Sequence, residues 1–117
     1  MSQKPETLFR QKVQKYFKPF EICNDIKVFW IQELSKVGTP DALICYYGKF
    51  LALELKSEEG SLAQLQVYNL MGVSQSKGIS VALWPSGFEA FKEDFGSKRI
   101  PCEPKFIVYY KNNAKHF

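Results

Sequence analysis

The stretch Pro40–Ser57, PDALICYYGKFLALELKS, decides how this chain folds. Two short runs rich in aliphatic and aromatic residues flank Tyr47-Gly48-Lys49, the pattern of two strands joined by a tight hairpin turn. The first run is Pro40–Tyr47 and the second Phe50–Lys56. The second is apolar except for Glu54 and Lys56, which stand two apart and so share one face of a strand. A buried strand that carries two charges needs a reason. Asp41 opens the partner strand directly after Pro40. A two-residue turn at Gly48-Lys49 sets Asp41 opposite Lys56, and one at Tyr47-Gly48 sets it opposite Glu54. Both registers keep the three on one face, whereas a three-residue loop would move Asp41 to the other.

Working outward, Pro5 to about Phe20 reads as a helix, with Phe9, Val13, Tyr16, Phe17 and Phe20 at helical spacing and Pro19 as its stop. Ile26 to Gln32 (IKVFWIQ) reads as a strand. After the hairpin comes a loop, then a helix from Ser61 to about Lys77. Ser61 followed by Gln64 predicts a capping box, and Gly78 a helix end. Ile79–Trp84 (ISVALW) is apolar throughout, so it predicts a strand buried on both faces. A short helix over Ser86–Asp94, a strand over Lys105–Tyr110 and a flexible tail over about 111–117 complete the reading. The expectation is one α/β domain over residues 1–117, an αβββαβ core with a mixed sheet flanked by helices.

Composition narrows the function classes. The 117 residues suit one domain, and a 45% hydrophobic share argues against disorder. A net charge of +4 permits a polyanionic partner without demanding one. Of the 16 basic residues 14 are lysines, which favours diffuse phosphate neutralisation over bidentate base reading. No apolar run is long enough to cross a membrane, and MSQKPETLFRQK has no apolar signal core. The three cysteines, Cys23, Cys45 and Cys102, are scattered, and His116 is the lone histidine. A disulfide scaffold, a Cys/His zinc site and a serine triad are therefore not expected, and a reducing cytoplasm is.

Asp41, Glu54 and Lys56 are the candidate chemists. Two carboxylates and an ammonium at a sheet edge meet the needs of metal-assisted phosphodiester cleavage. The carboxylates would hold a hard cation, and Lys56 would orient the attacking water and offset phosphate charge. The plainer alternative is a cross-strand Asp41–Lys56 salt bridge on a solvated face.

Val37–Leu83, VGTPDALICYYGKFLALELKSEEGSLAQLQVYNLMGVSQSKGISVAL, resembles the VRR-NUC branch of the PD-(D/E)XK nuclease superfamily. The resemblance is carried by Gly38-Thr39-Pro40-Asp41, Gly48, Glu54-Leu55-Lys56, Gly60, Gln66 and Gly78. It implies a restriction-endonuclease-like fold and a Mg²⁺- or Mn²⁺-dependent endodeoxyribonuclease. It further implies Asp41 and Glu54 as metal ligands, Leu55 lending its backbone carbonyl, and Lys56 as the catalytic lysine. A further acidic ligand on the first helix would be Glu6, although a first-turn glutamate also suits the helix dipole. Gln66 would touch the metal-site water, Lys56 or the DNA backbone, with a solvated helix residue as the alternative. Tyr68 reads as a core tyrosine, and Trp30, Trp84 and Phe88 as core aromatics.

For DNA contact the candidates are Lys36 beside the site, Ser61 at a helix start where free N–H groups meet phosphate, and Arg10 and Lys12 on the first helix. A solvated helix face is the alternative for Arg10, Lys12, Lys15 and Lys18. Glu58 and Glu59 admit opposite roles, holding outer-sphere metal waters or repelling DNA. Stand-alone chains of this type resemble phage members that act in the bacterial host as homodimers on branched DNA such as four-way (Holliday) junctions. A two-fold substrate needs two sites related by a dyad, which one small domain lacks. The rivals are a flap, nicking or single-strand nuclease within a repair assembly, and a non-catalytic DNA-binding module.

Overall fold

The computed structural model describes residues 5–31, 38–100 and 105–117, with side chains from residue 7 onward. The first element, α1 (Pro5–Ile22), is followed by β1 (Ile26–Trp30), β2 (Ala42–Tyr46), β3 (Lys49–Leu55) and α2 (Gln64–Gln75). Then come β4 (Ile79–Leu83), a short 3-10 turn (Pro85–Gly87), α3 (Phe88–Gly96), β5 (Lys105–Tyr110) and β6 (Asn113–His116). The αβββαβ order expected from the sequence is present, with the expected late helix and strand as α3 and β5, and it is extended by β6.

The strands form one six-stranded sheet in the order β1-β2-β3-β4-β5-β6. The β1–β2, β2–β3 and β5–β6 pairs are antiparallel, and β3–β4 and β4–β5 parallel. The fold is therefore α/β with a mixed sheet. One face is sealed by α1 and α3, through Phe9, Val13 and Phe17 from α1 and Phe91 and Phe95 from α3. The other is partly covered by α2, where Leu70 meets Ala52, Ala82, Trp84 and Phe106. Helices on both sides explain why every residue of β4 is buried.

The hairpin turn is the two-residue one at Tyr47-Gly48. Tyr46 pairs with Lys49, and both turn residues have positive φ, 48° and 82°. Such primed turns match the twist of the strands they join. Ala42 pairs with Leu53, so Asp41, one step beyond, lies across from Glu54 rather than Lys56.

Four local expectations are corrected. Pro19 does not end α1, which runs on to Ile22. A proline inside a helix costs about 3 kcal/mol. Here it sits on the exposed side, while its neighbours Tyr16 and Phe20 meet the Phe95 ring edge-on at 6.0 and 5.2 Å. That aromatic burial offsets the lost N–H. Next, α2 starts at Gln64 with Ala63 as its N-cap, so the Ser61/Gln64 capping box does not form. Gln66 occupies the third helical position and accepts the Ala63 N–H at 2.8 Å. At the other end, α2 stops at Gln75, and the left-handed residue beyond it is Lys77 (φ 78°), not Gly78. Gly78 is needed for space, since a Cβ there would come within 2.8 Å of Val73. Finally, the tail is not loose. Lys111 and Asn112, both with φ 50°, make a second two-residue turn that returns β6 along β5. Ser86 holds this turn by accepting the Lys111 and Asn112 N–H groups. The far end of the expected first strand, Gln32, lies outside the described residues. Among the described residues no helix is long and apolar enough to cross a membrane.

Candidate active site

The site gathers where β3 and β4 end. Lys56 donates its backbone N–H to Leu83 O at 3.0 Å, so both carboxyl ends finish together. Ligand sites in α/β sheets favour this edge. Glu54 follows from strand alternation. Leu51, Leu53 and Leu55 point into the α1/α3 core, so Ala52 and Glu54 point toward α2. There Glu54 is only 4% exposed. A carboxylate that deep needs polar partners. Gln66 donates its side-chain amide to Glu54 Oε2 at 3.0 Å, and Lys56 Nζ approaches the same oxygen at 3.8 Å.

Gln66 therefore acts at both ends of its amide, its oxygen capping α2 and its nitrogen on Glu54. The first backbone turn of α2 and the buried carboxylate are held by one side chain. The solvated-residue alternative for Gln66 is thereby excluded. The phase of α2 is set from below, where Ser80 on β4 donates to Leu70 O at 2.6 Å.

Asp41 sits where the two layers meet. Its Oδ2 accepts the Leu55 backbone N–H at 2.7 Å, which ties the carboxylate to the strand that carries Glu54 and Lys56. Its Oδ1 accepts from Arg10 Nη2 at 2.9 Å. Arg10 also lies over the Trp30 ring, 5.3 Å from its centroid. The cross-strand Asp41–Lys56 bridge does not form; the cation on Asp41 comes from α1. Beside this pair a cavity of about 370 Å³ is lined by Thr7, Arg10, Asp41 and Leu55.

The other sequence candidates separate. Lys36 and the Glu6 side chain lie outside the described residues. Lys12 is exposed on the outer side of α1, as are Lys15 and Lys18, which fits a solvated face. Arg10 leaves that set, being partly buried against Asp41. Ser61 is exposed but precedes the helix instead of capping it. Glu58 accepts the Ser86 N–H at 2.9 Å, so it braces the loop after β3 against the turn after β4. Tyr68 is 75% exposed and is not a core residue, because α2 turns Leu70 inward and leaves Tyr68 on its outer side. Trp84 is core, as expected, and Trp30 and Phe88 pack against the core from its margin.

Sequence reasoning missed the Arg10–Asp41 pairing. Only the packing angle of α1 brings residues 31 positions apart together, and no local signal reports that angle.

Among the described residues no group of three or more His, Cys, Asp or Glu gathers. A hard cation such as Mg²⁺ needs fewer, since it takes one or two carboxylates and completes its shell with phosphate and water oxygens. The residues that could supply such a set are Asp41, Glu54 across the strand pair from it, and the Leu55 carbonyl. A scan of family models, a search of curated proteins and a search of solved structures each returned no match, so the site rests on its own geometry.

Proposed function

We propose that this chain is a divalent-metal-dependent DNA endonuclease that acts on branched DNA as a homodimer. The observation that carries the reading is Glu54: a carboxylate 4% exposed, beside Lys56 and across from Asp41, at the carboxyl end of a parallel strand pair. Gln66 and Lys56 both turn toward this carboxylate, and a buried ion pair of this kind is a weak source of stability.

Asp41, Glu54 and the Leu55 carbonyl would hold Mg²⁺ or Mn²⁺. When bound, the cation supplies Lewis-acid polarisation of the scissile phosphate and an acidified water. The chain's own residues do the rest. Lys56, with its side chain only 12% exposed, offsets phosphate charge in a site of low dielectric and orients the attacking water. Gln66 keeps the Glu54 carboxylate at one angle, as groups behind a ligand commonly do. Arg10 neutralises Asp41 until substrate and cation arrive. The homodimer follows from the two-fold symmetry of a junction. The exposed Phe29 and Phe50 on the sheet face that α2 leaves open would suit its interface.

The deciding assay incubates the purified chain with duplex, flap, single-stranded and four-way-junction DNA, in Mg²⁺, Mn²⁺ or EDTA. Metal-dependent cleavage that is strongest on the junction and lost in Lys56→Ala and Asp41→Ala supports the proposal. The Arg10–Asp41 ion pair favours a second reading, a DNA-binding module whose acidic pair is neutralised internally. Binding without cleavage in every metal would establish that one instead. Light scattering that gives a monomer at micromolar concentration would remove the dimer.

A further inference from the structure

The carboxyl edge of the sheet carries a second concavity that the catalytic reading does not use. A cavity of about 420 Å³ lies between the loop after β3 and the β5–β6 hairpin. We propose that it is a pocket for one unpaired nucleobase next to the scissile phosphate. The inference rests on the nuclease reading and names the substrate feature that the site selects.

The position comes first. Gly60 lines the cavity, and a Cβ added there would stand 3.6 Å from Lys56 Cδ. One backbone layer thus separates the cavity from the lysine assigned to the phosphate. Gly60 O also accepts the Trp84 indole N–H at 2.8 Å, which fixes the wall between them. A nucleotide whose phosphate lies at Lys56 would have its base within reach of this cavity.

The lining matches a base. Leu62, Trp84 and Val108 form an apolar floor, and Tyr110 stands at the side with 39% of its surface exposed. Trp84 meets the Tyr110 ring edge-on at 5.7 Å and 75°, which sets the plane of the tyrosine. Polar groups crowd the rim: the Glu58 and Glu59 carboxylates, the Ser61 hydroxyl, the Asn113 amide and the Lys115 ammonium. Exocyclic amines need acceptors and base carbonyls need donors, and the rim holds both. Two carboxylates make the cavity hostile to a phosphate inside it. Lys115 at the rim, and Lys111, 5.3 Å from the centre of the Tyr110 ring, are placed for the flanking backbone. The ligand is therefore a neutral aromatic ring tethered to an anion.

A paired and stacked base does not enter such a cavity, whereas a base at a bulge or flap, or one unstacked at the branch point of a junction, does. The cavity would turn a site without sequence-reading elements into one that prefers disrupted DNA.

The test uses the full chain in EDTA, where no strand is cut, and a labelled hairpin with a single-nucleotide bulge that is either a normal base or abasic. Both probes carry the same charge. Fluorescence anisotropy should show the base-bearing bulge bound about 5- to 100-fold more tightly, the range expected for stacking on one aromatic. Tyr110→Phe should keep that preference. Tyr110→Ala and Val108→Trp, checked for folding by circular dichroism, should lose it. Equal affinity for the two probes in the wild type overturns the proposal, and so does a preference that survives both cavity variants. Cleavage of the same hairpins in Mn²⁺ is read separately. A protein that prefers the base but never cuts defeats the nuclease reading alone, and one that cuts but ignores the base defeats the pocket alone.

Discussion

The two faces of the sheet are built for different ends. The α1/α3 face is an aromatic interior in which Phe17, Phe91 and Phe95 are fully buried and in ring contact with one another. The α2 face has one helix, small residues such as Ala52 and Ala82, and a buried carboxylate. Its sheet edge bears a groove beside Trp84, while Glu54 and Lys56 themselves are largely covered. The contrast teaches that the aromatic packing is concentrated on the face opposite to Glu54 and Gln66, with Asp41 and Arg10 at the boundary. That separation lets the α2 face carry charges which would be costly in a sealed core.

The largest expected effect would test the sealed face. Phe95→Ala should cost about 3–5 kcal/mol in urea unfolding, because its ring packs against Phe17, Phe20, Tyr46 and Phe91. A cost below 1 kcal/mol would mean that the aromatic face is not where stability lies. Lys56→Ala should do the reverse, lowering cleavage by about 100-fold or more with little change in unfolding midpoint. Gln66→Ala sits between the two. It removes the bond to Glu54 and the side-chain cap of α2, so unfolding should show a loss of about 1–3 kcal/mol together with weaker Mn²⁺ binding by calorimetry.

Smaller effects sharpen the contrast. Arg10→Ala should change stability by about 1 kcal/mol or less, since the pair is partly solvated. By freeing Asp41 Oδ1 it should tighten Mn²⁺ binding; weaker binding would mean that Arg10 supports the site instead of occupying it. The smallest effect is alkaline. Burial first, and then the nearby Tyr47, raise the Tyr16 pKa from 10.0 to about 12. Burial and the hydrogen bond to Asp94 raise that of Tyr109 as well. The unfolded chain therefore releases these phenol protons at lower pH than the folded one. Stability is full below pH 10 and falls as pH rises toward 12, and in Tyr16→Phe the loss should be shallower.

Features encoded within a few neighbouring residues were legible. A tight turn within Tyr47-Gly48-Lys49 is legible because glycine tolerates positive φ there, though not which two residues form it, and the alternation of β3 gives Glu54 and Lys56 one face. The β5–β6 turn escaped because Lys111-Asn112 has no glycine and sits in a polar stretch that looks like a frayed end. Its geometry depends on Ser86, 25 residues away from Lys111. The start of α2 escaped for a related reason. Ser61/Gln64 is the stronger local signal, since Ala63 has no polar side chain to cap with, yet the start falls at Ala63 because Gln66 then caps its N–H and also reaches Glu54.

Local chemistry was thus enough to specify the elements through β5, their order and the residues worth suspecting, Asp41, Glu54 and Lys56, while Gln66 was singled out by the family resemblance. Hydrophobic period, turn preference and strand alternation act over a few residues, so a single chain displays them. The partners were decided only by tertiary packing. Which register brought Asp41 across from Glu54, which helix supplied Arg10, and which loop and hairpin enclosed the cavity beside Tyr110 all depend on how α1, α2 and β6 settle on the sheet. Those contacts join residues far apart in the chain, and their free energy comes from burial shared across the whole core.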